Sequence, residues 1–258
     1  MRRKSSILIN EDLLIDIGPD INTSSFDLDI PIENVHYCLQ THHHADHFDP
    51  ELIISRNSEY GTVNKNKIIL VGSAKTIKKI DSIIQMLCDY GSLYDDNADK
   101  QYGIEIKEII PFKEYLIGEY KIVGYPANHD IKDDGLLYSI EYKDILIFYG
   151  LDTSLIFDEI WNELKNQKKQ FDVFILDHTY GIGFQSTDHL SAKDFIEHVN
   201  LIKRNNLLKK TGKIFASHIS HEGIMLHDEL QKFAEKNGYN IAYDGLQIKI
   251  VDGYLTTQ

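Results

Sequence analysis

Thr41-His42-His43-His44-Ala45-Asp46-His47 places four candidate metal ligands, His42, His44, Asp46 and His47, within six residues. The stretch follows Val35-His36-Tyr37-Cys38-Leu39-Gln40, whose β-branched, aromatic and apolar residues predict a strand over 35–40. The histidines therefore open a polar loop at a strand end. In extended backbone alternate residues share a face, so His42 and His44 can meet one ion, while a turn at Ala45 would swing Asp46 and His47 toward another. Imidazole suits zinc, iron or manganese, and a carboxylate widens the choice toward harder metals. His43 points the other way in that geometry and is expected to pack or to orient a ligand.

On both sides of this loop, short β-branched and aromatic runs alternate with longer amphipathic stretches, the pattern of sheets covered by helices. Further strands are expected at 5–9, 12–17, 67–71, 120–125, 136–142, 145–149, 172–176, 213–217, 240–243 and 246–251. Helices are expected at 50–56, 73–88, 154–168, 191–205 and 223–237. Asp49-Pro50 offers a cap followed by proline at the first helical position, and Thr153 or Ser154, and Ser191, can cap the helices beside them. Lys143-Asp144 would turn 136–142 into 145–149 as an antiparallel hairpin, and Asp244-Gly245 would do the same for 240–243 and 246–251. The polar, glycine-bearing span 89–103 reads as a loop. With no repeat and no linker, the expectation is one mixed α/β domain over 1–258.

Composition narrows the partners. Lys and Arg total 27 against 40 Asp and Glu, a formal charge of −13, so most of the surface would repel a long polyanion, which argues against nucleic acid. Two cysteines, Cys38 and Cys88, are too few for a disulfide scaffold and fit a reducing, cytoplasmic setting. The basic start Met1-Arg2-Arg3-Lys4 lacks the apolar run of a signal peptide, and no stretch reaches the roughly 18 apolar residues of a membrane span. A soluble, unexported protein is expected.

Two ions need more donors than one loop supplies, and rigid strand ends are where they would be aimed. Three expected strands lead into such donors: Pro126-Ala127-Asn128-His129-Asp130, Gly150-Leu151-Asp152-Thr153 and His218-Ile219-Ser220-His221. Each is weak alone; their joint presence is not.

In these residues the sequence resembles the metallo-β-lactamase superfamily, whose pattern is His-x-His-x-Asp-His, then a histidine, an aspartate and a last histidine in that order. The resemblance spans 41–218. It implies a four-layer αββα sandwich of two mixed sheets flanked by helices. It also implies that His42, His44 and His129 hold one divalent ion, that Asp46, His47 and His218 hold the other, and that Asp152 bridges them. Zinc would be the first choice, with manganese or iron as alternatives. A carboxylate can bridge two cations, and ions roughly 4 Å apart can share a hydroxide that attacks phosphorus or a carbonyl carbon.

Within that superfamily the sequence looks most like the phosphoribosyl 1,2-cyclic phosphate phosphodiesterase family of the carbon-phosphorus lyase pathway. The stretches that carry the likeness are Leu14-Ile15-Asp16-Ile17-Gly18, Asn128-His129, Leu151-Asp152-Thr153, Ser217-His218-Ile219-Ser220-His221 and Ala242-Tyr243-Asp244-Gly245-Leu246. That family has a further histidine that assists catalysis without binding metal, and Asp188-His189-Leu190 occupies the matching place. His189 is thus expected to donate a proton to the leaving oxygen or to stabilise phosphate, with Asp46 counted as both ligand and catalytic residue. Two departures are a start near the family's second strand, without its cysteine-rich structural-zinc segment, and Phe48-Asp49-Pro50-Glu51 in place of a small, glycine-containing continuation.

The expected activity is hydrolysis of a small or cyclic phosphodiester, of phosphoribosyl cyclic phosphate or cyclic nucleotide type. The alternatives are a tRNA 3′-end endonuclease of the same superfamily and a thioester or lactone hydrolase. The endonuclease family is expected to carry Glu where Thr179 follows His178, and a protruding glycine- and proline-rich arm that is missing here. Thioester or lactone chemistry would leave His189 idle. Metal storage needs less than a full bridging set. The resemblance also implies pairing as a homodimer, for which no sequence stripe marks an interface. Asp16 is expected to play a structural part beside the site at a strand end, with orienting a ligand histidine as the alternative; Asp177-His178 is expected to line the site or to bond or pack beside it, and His221 to be an alternative to His218. His36, His198 and His227 read as surface or partly packed residues, and Tyr115, Tyr120, Tyr125, Tyr138 and Tyr142 as sheet packing.

Overall fold

The computed structural model describes residues 2–60, 66–130, 132–221 and 225–258. The chain divides into two compact units, one of Arg3–Lys113 with Lys132–Leu136, the other of Met1–Arg2, Glu114–Ile131 and Leu137–Gln258.

The first unit holds a mixed five-stranded sheet in sequence order: β1 (Ile7–Ile9), β2 (Leu13–Ile15), β3 (Tyr37–Leu39), β4 (Ile68–Gly72) and β5 (Ile104–Glu108). β1 and β2 are antiparallel, and every later neighbour is parallel. Its helices are α1 (Ile21–Leu28), α2 (Pro50–Ile54), α3 (Ala74–Leu87) and the single turn α4 (Ala98–Gln101). α3 is the main cover. Ile77, Ile80 and Ile84 lie three and four apart and are fully buried with Leu14, Cys38 and Leu70. Asp49 accepts from the Glu51 N–H with Pro50 at N1, as the sequence predicts, so α2 starts immediately after the histidine loop.

The second unit holds a seven-stranded sheet, in order β12 (Asn240–Ile241), β11 (Leu208–Ser217), β10 (Phe171–Asp177), β9 (Ile145–Gly150), β8 (Leu136–Tyr142), β7 (Tyr120–Pro126) and β6 (Glu114–Ile117). β9, β10, β11 and β12 are parallel, with α5 (Asp158–Asn166), α6 (Ala192–Arg204) and α7 (His227–Lys236) in the crossovers. β10 is buried along its whole length, which explains its central apolar run Val173-Phe174-Ile175-Leu176. Both sheets are therefore mixed and flanked by helices. Among the tyrosines, Tyr120, Tyr125 and Tyr138 are sheet packing as expected.

Several expectations need correction. The hairpin through Lys143-Asp144 forms, but the one through Asp244-Gly245 does not: β12 lies parallel to β11, and β13 (Ile248–Val251) pairs instead with β14 (Tyr254–Thr257). At the true turn both Asp252 and Gly253 have positive φ, the geometry a primed two-residue turn demands, whereas Gly245 alone does so at the other dipeptide. Helix 154–168 starts later, at Asp158, because Thr153 and Ser154 spend their hydroxyls on Asn128. The loop 89–103 contains α4. α1, β5, β6 and β14 were not anticipated: α1 is rich in Asn, Thr and Ser, poor helix formers, and β5 and β6 are charged edge strands. The expected helix 223–237 is present from His227; positions 223 and 224 lie outside the described residues.

Candidate metal centre

In the first unit Asp16 organises the histidine loop. It follows β2 in the left-handed region at φ 63°, fully buried, and β3 delivers Gln40 and Thr41 beside it. Asp16 Oδ1 accepts from the Thr41 N–H at 2.7 Å and from its hydroxyl at 2.9 Å, while Oδ2 accepts from His47 Nδ1 at 2.7 Å. Burial raises the Asp16 carboxyl above its ordinary range, against the charge and hydrogen bond of His47 and the bonds of Thr41. The Gln40 amide donates to the carbonyls of His42 and His47, so the loop is wrapped around one buried side chain. The His42 ring lies 4.4 Å from that of His44 and 4.5 Å from that of His47, centre to centre.

These bonds choose the tautomers. A carboxylate only accepts, so His47 Nδ1 carries the proton and Nε2 the lone pair, 3.7 Å from Asp46. The Thr41 hydroxyl donates to Asp16, so it accepts from His42 Nδ1 at 3.0 Å, and His42 likewise offers Nε2. His44 is reversed: its Nε2 meets Asp133 Oδ2 at 3.1 Å, which leaves the lone pair on Nδ1. His43 sits behind His44 with Nδ1 4.0 Å from the same carboxylate.

In the second unit the donors stand at the carboxyl ends of neighbouring parallel strands, where open α/β sheets place ligands. Asp152 follows β9 and His218 follows β11, and both are left-handed, at φ 46° and 55°. Backbone held in this way costs of order 1–2 kcal/mol per residue, and such strain gathers at functional sites. His218 Nε2 lies 3.3 Å from Asp152 Oδ1, and its Nδ1 donates to the Thr179 hydroxyl at 2.7 Å. His129, after β7, donates Nδ1–H to the Asp188 carbonyl at 3.0 Å. His189 donates Nδ1–H to the fully buried Asp177 at 2.8 Å, and the same nitrogen is 3.4 Å from Asp152 Oδ1. Burial pulls the His189 imidazole down, but the hydrogen bond and charge of Asp177, with Asp152 and Asp188, outweigh it and leave the net shift upward. The loop carrying His189 is closed at its neck by the bond from the Ala192 N–H to the Gly181 carbonyl, and Ser191 and Asp194 form the capping box that starts α6.

Asp152, Asp177, His189 and His218 thus come together, each with a donor atom within 4.8 Å of the others'. His178 points away from them, packed on Phe195 and Tyr239 with Nε2 3.1 Å from the tyrosine hydroxyl. His221 is exposed. His198 is not a surface residue: it is buried and accepts from the Ile156 N–H at 3.1 Å. Sequence reasoning missed Gln40, Thr179 and Asp133 as orienting residues. Gln40 and Thr41, polar residues closing an apolar strand, are the one signal that pointed there.

The donor set fits divalent metal. Every ring engaged through Nδ1–H keeps a lone pair on Nε2, and histidine with carboxylate is a zinc, manganese or iron set.

No protein-family model matches the sequence, and no curated protein matches it either. Solved structures do. A diphosphatase from the PhnP family superposes with TM-score 0.67 at 17% identity, covering 95% of this chain and 83% of that one. The metallo-β-lactamase fold protein YhfI from Bacillus subtilis gives 0.64 at 16%, covering 94% and 90%. The short form of human tRNase Z gives 0.60 at 14%, covering 86% and 87%. The chain has the metallo-β-lactamase fold, as its histidine loop led one to expect. Among the described residues no helix is long and apolar enough to cross a membrane.

Proposed function

We propose that this chain is a metal-dependent phosphodiesterase that hydrolyses a small or cyclic phosphodiester, of phosphoribosyl cyclic phosphate or cyclic nucleotide type. The observation that carries the reading is the His189–Asp177 pair, 2.8 Å apart and adjoining Asp152 and His218. Held by Nδ1, His189 keeps Nε2 for a proton, and its raised pKa favours the protonated form that a departing alkoxide needs. A thioester hydrolase has a weaker use for that acid, since a thiolate departs more readily than an alkoxide.

The ligand order along the chain supports His42, His44 and His129 as the set for one ion, Asp46, His47 and His218 for the other, and Asp152 as their bridge. Divalent ions held there supply Lewis acidity and lower the pKa of water, with zinc, manganese and iron all compatible with the donors. Asp16, Thr41, Thr179 and the Asp188 carbonyl fix the tautomer and ring orientation of the ligands. His189 supplies the leaving-group proton. Among proteins of this fold, the neighbours include a diphosphatase, yeast PDE1 and tRNase Z, so phosphate-ester chemistry recurs on the scaffold. The charge of −13 and Thr179 in place of a glutamate both favour a small substrate over tRNA.

The test combines metal analysis of purified protein with a substrate panel. Two ions per chain and turnover of bis-p-nitrophenyl phosphate, cyclic nucleotides or cyclic ribose phosphates are expected. Cleavage of precursor tRNA, thioesters or lactones in preference to these would replace the reading.

A further inference from the structure

In the second unit an excess of cations is gathered at one end of the seven-stranded sheet. The turns and helix ends that lead into β9, β10 and β11, residues 141–145, 163–172 and 203–213, carry nine Lys and Arg against four Asp and Glu, on a chain whose formal charge is −13. Beside them, before β12, Glu235 and Lys236 offset each other. These are the amino ends of parallel strands, whereas Asp152, Asp177 and His218 stand at the carboxyl ends, about 20 Å away along β10 at roughly 3.3 Å per residue.

Three of the nine cations are used inside the fold: Lys169 pairs with Glu141, Lys203 donates to the Gly238 carbonyl, and Lys209 pairs with the buried Asp172. Lys143, Lys165, Lys168, Arg204, Lys210 and the half-buried Lys213 make no ion pair among the described residues, and the first five are exposed.

Two observations set this end apart from an ordinary solvated face. The residue after the cap of α5, α6 and α7 is left-handed in each case: Asn206 at φ 54° and Gly238 at φ 79° are types that tolerate it, but after α5 stands Lys168 at φ 53°. The β8–β9 turn likewise opens on Lys143 at φ 54°, where Asn or Gly is favoured. No other described lysine has positive φ. Strained backbone persists where it serves a use. Lys168 returns no ion pair to the fold, and Lys143 only a place over the Tyr142 ring, 4.8 Å away. The second observation is the start of β11. Leu208 pairs with Phe171 and Lys213 with Val173, so Lys209–Gly212 bulge out opposite Asp172 alone, with Lys210 exposed among them. A Cβ on Gly212 would stand 2.9 Å from the Phe171 carbonyl oxygen, so glycine lets the bulge lie against β10.

We propose that this end of the sheet is an interaction surface for the anionic face of a lipid bilayer. The cations lie on the turns of three neighbouring strands, which makes an area and not a pocket. Five of the six unpaired ones are lysines, point charges without the planar fork that reads a single phosphate. Tyr142, half-buried under Lys143, is the one aromatic ring on the three turns besides the buried Phe171, so there is no platform for stacking bases. A long polyanion would run past the patch onto a chain of net charge −13, whereas a plane meets one end alone, and charges more than about 8 Å from it are screened at physiological salt. Docked in this way, the carboxyl ends of the strands would face away from the bilayer. The proposal stands apart from the metal centre and survives or fails without it.

The experiment is co-sedimentation of the full chain with vesicles of phosphatidylcholine mixed with phosphatidylglycerol, and of phosphatidylcholine alone. Binding to the mixed vesicles only is expected, weakening as salt is raised. Lys143→Asn combined with Lys168→Gly removes two charges and relieves both left-handed positions, so it should bind about 10–30-fold more weakly while its unfolding midpoint holds or rises. Lys78→Gln with Lys79→Gln, on exposed positions of α3, should bind as wild type does. Absence of binding at low salt, equal binding to uncharged vesicles, or wild-type binding by the Lys143/Lys168 variant would overturn the proposal. So would capture of polyuridylate or polyglutamate in preference to vesicles, which would make the partner a nucleic acid or an acidic protein.

Discussion

Asp177, fully buried at the end of β10, accepts a 2.8 Å hydrogen bond from His189 Nδ1 across a loop of twelve residues. The same carboxylate caps both ends of that loop, accepting from the N–H of Thr179 at 2.9 Å and of Leu190 at 3.3 Å. The imidazole is therefore fixed in place by the strand end. If it acts as general acid, His189→Ala should lower kcat by about 10²–10⁴ on a phosphodiester with a poor leaving group and far less on an activated aryl ester. Metal content should be unchanged. Equal losses on both substrates would mean that His189 does not protonate the leaving oxygen.

Asp16 supports two of the proposed ligands at once, His47 directly and His42 through Thr41. Asp16→Ala would strand the buried Nδ1–H of His47 and the N–H of Thr41, each costing about 1–3 kcal/mol. A loss of at least 2 kcal/mol or so is expected in urea unfolding, with about 10–100-fold weaker metal binding by chelator competition. Asp16→Asn, which keeps one acceptor oxygen, should lie between. Wild-type stability in Asp16→Ala would show that the network carries no net weight.

How much of this was legible in the sequence follows from how local each determinant is. The caps at Asp49 and Ser191 are short-range, and the structure has them as read. β12 was misassigned because its partner, β11, lies more than twenty residues earlier, while the decoy Asp244-Gly245 lies next to it. Thr153 and Ser154 looked like helix caps for the same reason; their bonds to Asn128 reach back across β8 and β9. Orienting residues were hardest. Asp133, Thr179 and Gln40 are common polar residues whose roles exist only once distant segments meet.

His178 gives a pH dependence of stability. Burial holds its pKa at about 4, well below the usual 6.5. Above pH 6.5 both folded and unfolded forms are neutral and the residue is silent. Between 6.5 and about 4 the unfolded chain takes up a proton that the folded one refuses, so stability falls as pH falls, by roughly 3 kcal/mol at 1.36 kcal/mol per pH unit. Urea unfolding at pH 7 and at pH 4.5 should show a steeper loss in wild type than in His178→Gln. Parallel losses in the two proteins would assign the acid sensitivity to other groups.

Thr179 bears on how His218 keeps its backbone. His218 is left-handed at φ 55°, and the Thr179 hydroxyl binds it twice, accepting from Nδ1 at 2.7 Å and donating to its carbonyl at 2.9 Å. Thr179 is itself held by Asp177, so the strand end that fixes His189 also fixes His218. Thr179→Val keeps the shape and removes both bonds, leaving a polar ring nitrogen and a carbonyl to compete for other partners. The expected result is a stability loss of about 1–3 kcal/mol and a drop of about 10–100-fold in affinity for one ion. Thr179→Ser, which restores the hydroxyl without the methyl, should recover most of the affinity. A valine variant with full affinity would mean that β11 alone dictates the His218 conformation, and that the hydroxyl follows the ring instead of placing it.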